Sequence, residues 1–503
     1  MEIKLVITPL LCIFQLSNVL CQSLTQDLDV IAEEFELMGM SVVTICGGEI
    51  DDIYHFGLKD FDNQLVIDDQ TQFRIASISK AITATGMMLL KSEQTFNFDD
   101  DISDHLGYLV RNPNYPDTPI TIKHVLSHTS SLQDGDGYNG FLTATYSSEP
   151  DLPNLEELIL PLGIYYSSNM WRTEEPGTHF AYSNINFGMV ATLIEAISGE
   201  RFDQYMDGHL FAPLNMDASY NVSMLDDINN LAVLYRNQGG WTPQVDNFMG
   251  QTPAVPDLSL YSPGTNGLRF APQGGLRIST PDLARLLLLH MNDGFDLQDG
   301  NQLIPPEIMQ EMHTPVWTYD GSNGDNYFGL FNSWGLGVQS ITNTPNGDVV
   351  FPVNQNNFIG HAGEAYGLIS DLYFDQESQS GFVFLTNGDW NGFSFGDYSA
   401  FYTLEEAVFS AIENNLECGD FVVEETRSQI RISPTIIAPG DAIRIDSNDE
   451  IRMITIFDLS GKIVAQKSAM NLTQLEIPLL NQGIYFVKTT GVNYTHSQKI
   501  IVE

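Results

Sequence analysis

The sequence predicts an α/β (α+β) fold: an antiparallel sheet flanked by helices, a helical lobe inserted into it, and a small all-β sandwich at the C-terminal end. Three observations predict it. Extended runs bracket a long helical middle, with MSVVTICGG and EIDDIYHFGLKD before it and AYGLISDLYFD and GFVFLTNG after it. Amphipathic helices with clear start and stop signals fill that middle. From Ile430 onward the chain alternates with period two and shows no helical spacing.

In chain order, Met1–Cys21 carries Lys4, the apolar run LVITPLLCIFQL and then SNVLCQ. The apolar run is too short to span a bilayer and reads as a signal peptide cleaved after Cys21. A lipoprotein reading would acylate Cys21, which the bulky Leu20 before it fits poorly. Leu28–Met38 has helical spacing, and Gly47–Gly48 marks a tight connection between the first two strands. QTQFRIAS continues extended and runs into FRIASISKAITATGMMLL, where helical spacing begins at Ser77.

FDDDISDHL, TPITIKHVLSHTSSLQD, DLPNLEELIL, SNINFGMVATLIEAISGE and RFDQYMDGHLFAPLNM read as helices of the lobe. Gly199 stops the fourth and Pro213 the fifth. Long loops rich in Asn, Gly and Pro run from Asn221 to Gly275, and STPDLARLLLLHMNDG is a helix capped by Ser279 or Thr280 with Pro281 at its first turn. SWGLGVQSI, AYGLISDLYFD and GFVFLTNG return to strands, and YSAFYTLEEAVFSAIENN closes the domain as a helix. The expected boundaries are therefore a domain over 22–418, a connector over 419–429 and a β-module over 430–503.

Composition narrows the function. Lys+Arg of 21 against Asp+Glu of 65 gives a net charge of −44. Such a surface repels nucleic acid and anionic membrane, so neither is an expected partner. A hydrophobic content of 43% with 17% charged residues places the chain among globular proteins. Once the signal is removed, Cys46 and Cys418 remain, either as a pair, which secretion permits, or as two small buried residues.

Chemistry concentrates at Ser77 and Lys80, which project from one helical face three residues apart. A serine hydroxyl is a weak nucleophile until its proton is taken, and a lysine takes it only when desolvated or crowded by another cation. A helix N-terminus at the serine adds free N–H groups for an oxyanion. The same serine can equally act as a plain N-cap, and Ser-x-x-Lys arises roughly once by chance in a chain this long. Two further segments complete a site. Tyr182-Ser183-Asn184 lies between a turn and a helix start, where the phenol can relay a proton and the amide can donate to a substrate carbonyl. Tyr235-Arg236-Asn237 shares the spacing. His361-Ala362-Gly363 opens a strand whose small residues let a substrate lie along its edge, with the imidazole as donor. His105-Leu106-Gly107 has the same spacing in an apolar helical stretch.

Together with ITIKHVLSHTSSLQD and APQGGLRISTPDLARLLLLH, these segments resemble the β-lactamase-related serine hydrolase family. That family includes class C β-lactamases, D-alanyl-D-alanine carboxypeptidases, D-aminopeptidases and esterases, with a β-lactamase/transpeptidase-like fold. The resemblance implies Ser77 as acylated nucleophile, Lys80 as its proton acceptor and Tyr182 as partner base or acid. It implies Asn184 as substrate-positioning residue, His361 and Gly363 as the third motif, and the N–H groups of Ser77 and Glu364 as oxyanion hole. The β-lactamases carry Lys-Thr-Gly where this chain has His-Ala-Gly, without fixed charge or hydroxyl, which points toward esters or D-peptides rather than β-lactams. A catalytically inactive surface protein binding peptidoglycan or peptide fragments is the alternative.

The tail segments ITIFDLSGKIV, LEIPLLNQGIYFVKTT and KIIVE resemble the C-terminal sorting domain of the type IX secretion system of Bacteroidota. That implies the secretion machinery as partner, passage through the periplasm and a secreted or cell-surface location; an accessory binding module is the rival reading. No cofactor is expected. His124 and His128, spaced i, i+4, lack an evident third metal ligand, and DGDGYNG from Asp134 imitates a calcium loop only in part.

Overall fold

The computed structural model describes residues 23–416, apart from 95, 255 and 256, and the strands within 431–502. The signal segment, Cys418 and the expected connector lie outside the described residues. The chain divides into two compact units, 1–417 and 418–503.

The first unit is built on a nine-stranded antiparallel sheet. Its order is Trp317–Thr318, Ser333–Trp334, Gln339–Ser340, Ile359–Ala365, Leu368–Asp375, Ser380–Thr386, Gly39–Cys46, Glu49–Asp60, Leu65–Val66. The early strand Gly39–Cys46 lies between its sequence neighbour and the late strand Ser380–Thr386, with Val43 opposite Val383. One sheet is thus drawn from both ends of the domain. Alternation sorts the side chains onto two faces. Val43, Ile45, Val383 and Leu385 join the core under the helices Ile78–Glu93 and Thr280–Met291. Met40, Val42, Phe382 and Phe384 pack with the helices Leu24–Glu34 and Thr403–Asn415 on the other face.

The lobe is shorter in helix than the sequence suggests. The segment around His124 is helical only over Ile122–Leu126, because His128 and Ser131 take left-handed φ of 56° and 63° and turn the chain out of the helix. His124 and His128 therefore do not share a helix face, and the i, i+4 ligand reading fails on geometry. SWGLGVQSI is not one strand but two short ones joined through Gly337 at φ 85°. Gln72–Arg74 pairs with Arg277–Ser279 in a small ladder of its own, outside the main sheet.

In the second unit, strands of 17 and 16 residues, Ala442–Asp458 and Ile463–Pro478, replace the short, evenly spaced strands expected. They belong to one six-stranded sheet, and register shifts interrupt their pairing.

Candidate active site

Ser77 stands where the extended Gln72–Arg74 segment meets the Ile78–Glu93 helix. Ala76 before it has a φ of 48°, a conformation that costs free energy in a non-glycine residue and throws the serine out of line with the strand. Ser77 makes no side-chain capping bond. Its hydroxyl lies 3.0 Å from Lys80 Nζ, so the plain N-cap role is not the one the geometry uses.

Lys80 is fully buried, and its Nζ also donates to the carbonyl of Gln273 at 2.8 Å. It sits 4.8 Å from the Tyr182 ring centre. Burial pulls its pKa from 10.5 to about 7, with Asp134 pulling weakly the other way. An amine that is half uncharged near neutrality can take the proton of a serine hydroxyl.

Tyr182 is held in an aromatic box. Phe331 stacks on it at 5.1 Å, His128 lies tilted at 4.6 Å, and Trp334 and His361 meet it at 5.8 and 6.1 Å. Burial raises its pKa well above that of an ordinary phenol, while contact with the Ser77 side chain pulls the other way. It is a neutral phenol at neutral pH, suited to giving a proton rather than to serving as phenolate.

The Ile359–Ala365 strand approaches Ser77 edge-on through Gly363. A Cβ there would lie 3.0 Å from both Ser77 N and Ile75 O, and 2.4 Å from Ser370 Oγ. Ser370 ties the two segments together: its hydroxyl donates to Ile75 O at 3.0 Å, with Gly363 O at 3.2 Å as the alternative acceptor. Ser77, Tyr182, Asn184, Ala362, Gly363 and Glu364 all line one cavity of about 920 Å³.

Two expected contacts are corrected. His361 is fully buried and outside the cavity lining. It sits on the same strand face as Gly363, under Tyr182, with Nδ1 against its neighbour's carbonyl at 2.5 Å and Nε2 without a partner. Burial, with Lys80 adding to it, lowers its pKa to about 3, so it is neutral and does not reach a substrate directly. Asn184 lines the cavity, but its side-chain amide donates to Asp134 at 2.8 Å, and that carboxylate also receives the N–H groups of Asn184 and Ile185 at the helix start. One amide hydrogen is thereby committed. Tyr235 and His105 belong elsewhere: Tyr235 receives the Phe61 N–H, and His105 packs on Phe96.

Sequence reasoning passed over three participants. Gln273 acts through a backbone carbonyl, which no side-chain pattern announces. His128 accepts from Ser183 N and Asn186 Nδ2, both at 3.2 Å, and so braces the segment carrying Tyr182. Asp134 closes the ITIKHVLSHTSSLQD segment, but as a side chain it was weighed only for calcium. Among the described residues no group of His, Cys, Asp and Glu has metal-binding geometry, and no helix is long and apolar enough to cross a membrane. Cys46 is disulfide-bonded, and its partner lies outside the described residues.

A serine beside a buried lysine, a neutral phenol and a closely approaching strand is an arrangement suited to a serine hydrolase. The chain belongs to the Beta-lactamase family of serine hydrolases, whose model matches residues 29–400. Residues 440–503 match the secretion system C-terminal sorting domain, which marks the chain for export. Protein flp of Staphylococcus aureus (strain MRSA252) is 22% identical over 370 residues, 72% of this chain and 62% of that protein. The chain thus spans about three fifths of that relative's length. Among solved structures, EstCE1, a hydrolase with promiscuous acyltransferase activity, superposes with a TM-score of 0.56 at 18% identity, covering 78% of this chain and 99% of its own. The D-amino acid amidase from Ochrobactrum anthropi SV3 gives 0.54 at 18%, covering 78% and 97%. At these identities the likeness is one of fold.

Proposed function

We propose that the chain is an exported serine hydrolase that cleaves an ester or a D-amino-acid amide or peptide bond through an acyl-enzyme on Ser77. Lys80 takes the Ser77 proton as Oγ attacks the carbonyl carbon. The N–H groups of Ser77 and Glu364 receive the oxyanion, and Asn184 steadies the substrate with its remaining amide hydrogen. Tyr182 protonates the leaving alcohol or amine and regains its proton from Lys80. Water then attacks the acyl-enzyme along the same proton route and frees the acid. His361 acts as a positioning residue beneath Tyr182.

The observation that carries this reading is Lys80: buried, pulled to about 7 and 3.0 Å from the Ser77 hydroxyl. The amidase and the acyltransferase-active hydrolase among the fold neighbours support these bond types. The sorting-domain match supports the type IX machinery as carrier to the cell surface or medium. A fluorophosphonate probe should label the purified chain and leave Ser77→Ala unlabelled. Equal labelling of both, or none of the wild type, would refute the acyl-enzyme.

A further inference from the structure

The acidic and basic side chains that line the cavity in front of Ser77 are of one kind. Glu364 and Glu405 line it, and no Lys, Arg or His is among the described lining residues. Glu364 is solvent-exposed, and one of its oxygens accepts the Tyr402 hydroxyl at 2.7 Å. Glu405 is 4% exposed and lies against Asp371, which is fully buried. Neither oxygen of Asp371 finds any partner other than that carboxylate. No salt bridge among the described residues reaches these three acids. Burial raises the Glu405 carboxyl to about 8 and Asp371 well above the usual carboxylate range, so near neutral pH this buried pair is protonated and adds no full charge to the cavity.

Aromatic rings complete the wall. Phe328 and Phe395 are 94% and 82% exposed at the cavity, and Tyr327 and Phe328 are held there at φ 50° and 59°. Rings presented on a strained turn beside carboxylates are the chemistry that grips an ammonium group. The net charge of −44 draws cations toward the molecule. Basic groups lie outside this lining: Lys80 stands behind Ser77, Arg74 packs over Tyr366, and Arg236 shares with Asp389 an adjoining cavity of about 420 Å³ across the Glu364 wall.

Resting on the hydrolase reading above, we propose that this site selects acyl substrates carrying an ammonium group, with Glu364 as the specificity-determining side chain. A carboxylate-bearing substrate, such as a β-lactam or a peptide with a free C-terminus beside the scissile bond, meets repulsion there.

Three p-nitrophenyl esters of equal chain length test this, ending in trimethylammonium, in its tert-butyl isostere and in a carboxylate. The cationic ester should exceed the neutral one in kcat/KM by about tenfold, and the anionic one should be poorest. Added salt should shrink the cationic advantage, and Glu364→Gln should bring the cationic-to-neutral ratio toward one. Independently, benzyltrimethylammonium titrated calorimetrically into the full Ser77→Ala chain should bind, benzoate should not, and adding Glu364→Gln should weaken the cation. A wild-type ratio of one or less, a ratio unmoved in Glu364→Gln, or benzoate binding as well as the cation overturns the proposal. If no ester turns over, the hydrolase reading fails, and the calorimetry still decides the charge preference.

Discussion

Replacing Lys80 with methionine should stabilise the protein while abolishing its turnover, and the stabilisation should fade as pH rises. In the folded chain the ammonium gives up its proton near 7, against 10.5 for an ordinary lysine. Between those values the unfolded chain holds a proton that the folded chain has lost, so raising the pH favours the folded state. Burying Lys80 costs roughly 5 kcal/mol near pH 6, where the cation is held, and roughly 1 kcal/mol near pH 9.5, where its proton is given up, taking about 1.36 kcal/mol per tenfold change in proton affinity. Methionine removes that cost, but leaves the Gln273 carbonyl and the Ser77 hydroxyl without their partner, which returns about 1–3 kcal/mol. Net stabilisation of about 2–4 kcal/mol is expected in acid, falling to zero or below in base. Urea unfolding of both proteins near pH 6 and pH 9.5 measures it, with ester turnover followed alongside. In the wild type, kcat/KM should rise with pH through about 7 and then level off. A stability difference that does not change with pH, or retained turnover in Lys80→Met, would refute the reasoning.

Two further outcomes are expected. Gly363→Ala places a Cβ 2.4 Å from Ser370 Oγ and 3.0 Å from Ser77 N, so the Ile359–Ala365 strand must retreat from the nucleophile. Turnover should fall by about 100-fold or more with about 1–3 kcal/mol lost in stability, and unchanged kinetics and melting would contradict the close approach. Deleting residues 430–503 should leave the hydrolase in the periplasm, as cell fractionation reads it, and normal surface display would contradict the export role.

The sequence carried the Ser77–Lys80 pairing because i, i+3 spacing on a helix is a local property, and the helix Ile78–Glu93 forms where the periodicity says. It also carried the two-ended sheet, since the strands on both sides alternate cleanly. His361 is the instructive miss. Gly363 must face the Ser77 helix, and period two puts His361 on the same inward face, so its burial was implicit in the pattern. Asn184 was legible as a cavity residue, but its commitment to Asp134 depends on a loop fifty positions earlier in the chain. Glu405 reads in sequence only as part of a closing helix. Nothing local says that this helix reaches the cavity or backs onto Asp371. The break at His128 was hidden because a non-glycine residue in the left-handed region leaves no compositional mark.

The pairing of Gly39–Cys46 with Ser380–Thr386 also has a consequence in time. A chain emerging from the ribosome exposes Ser77 and Lys80 early, but the strand that brings Glu364 to them is synthesised nearly three hundred residues later. The sheet closes only through contacts of very high sequence separation, which form slowly and late. A nascent chain holding its first two hundred residues therefore has a serine and a lysine, but neither the desolvating Gln273 loop nor the strand that carries Glu364. On the proposed mechanism, the site is therefore assembled only once the whole domain has been made.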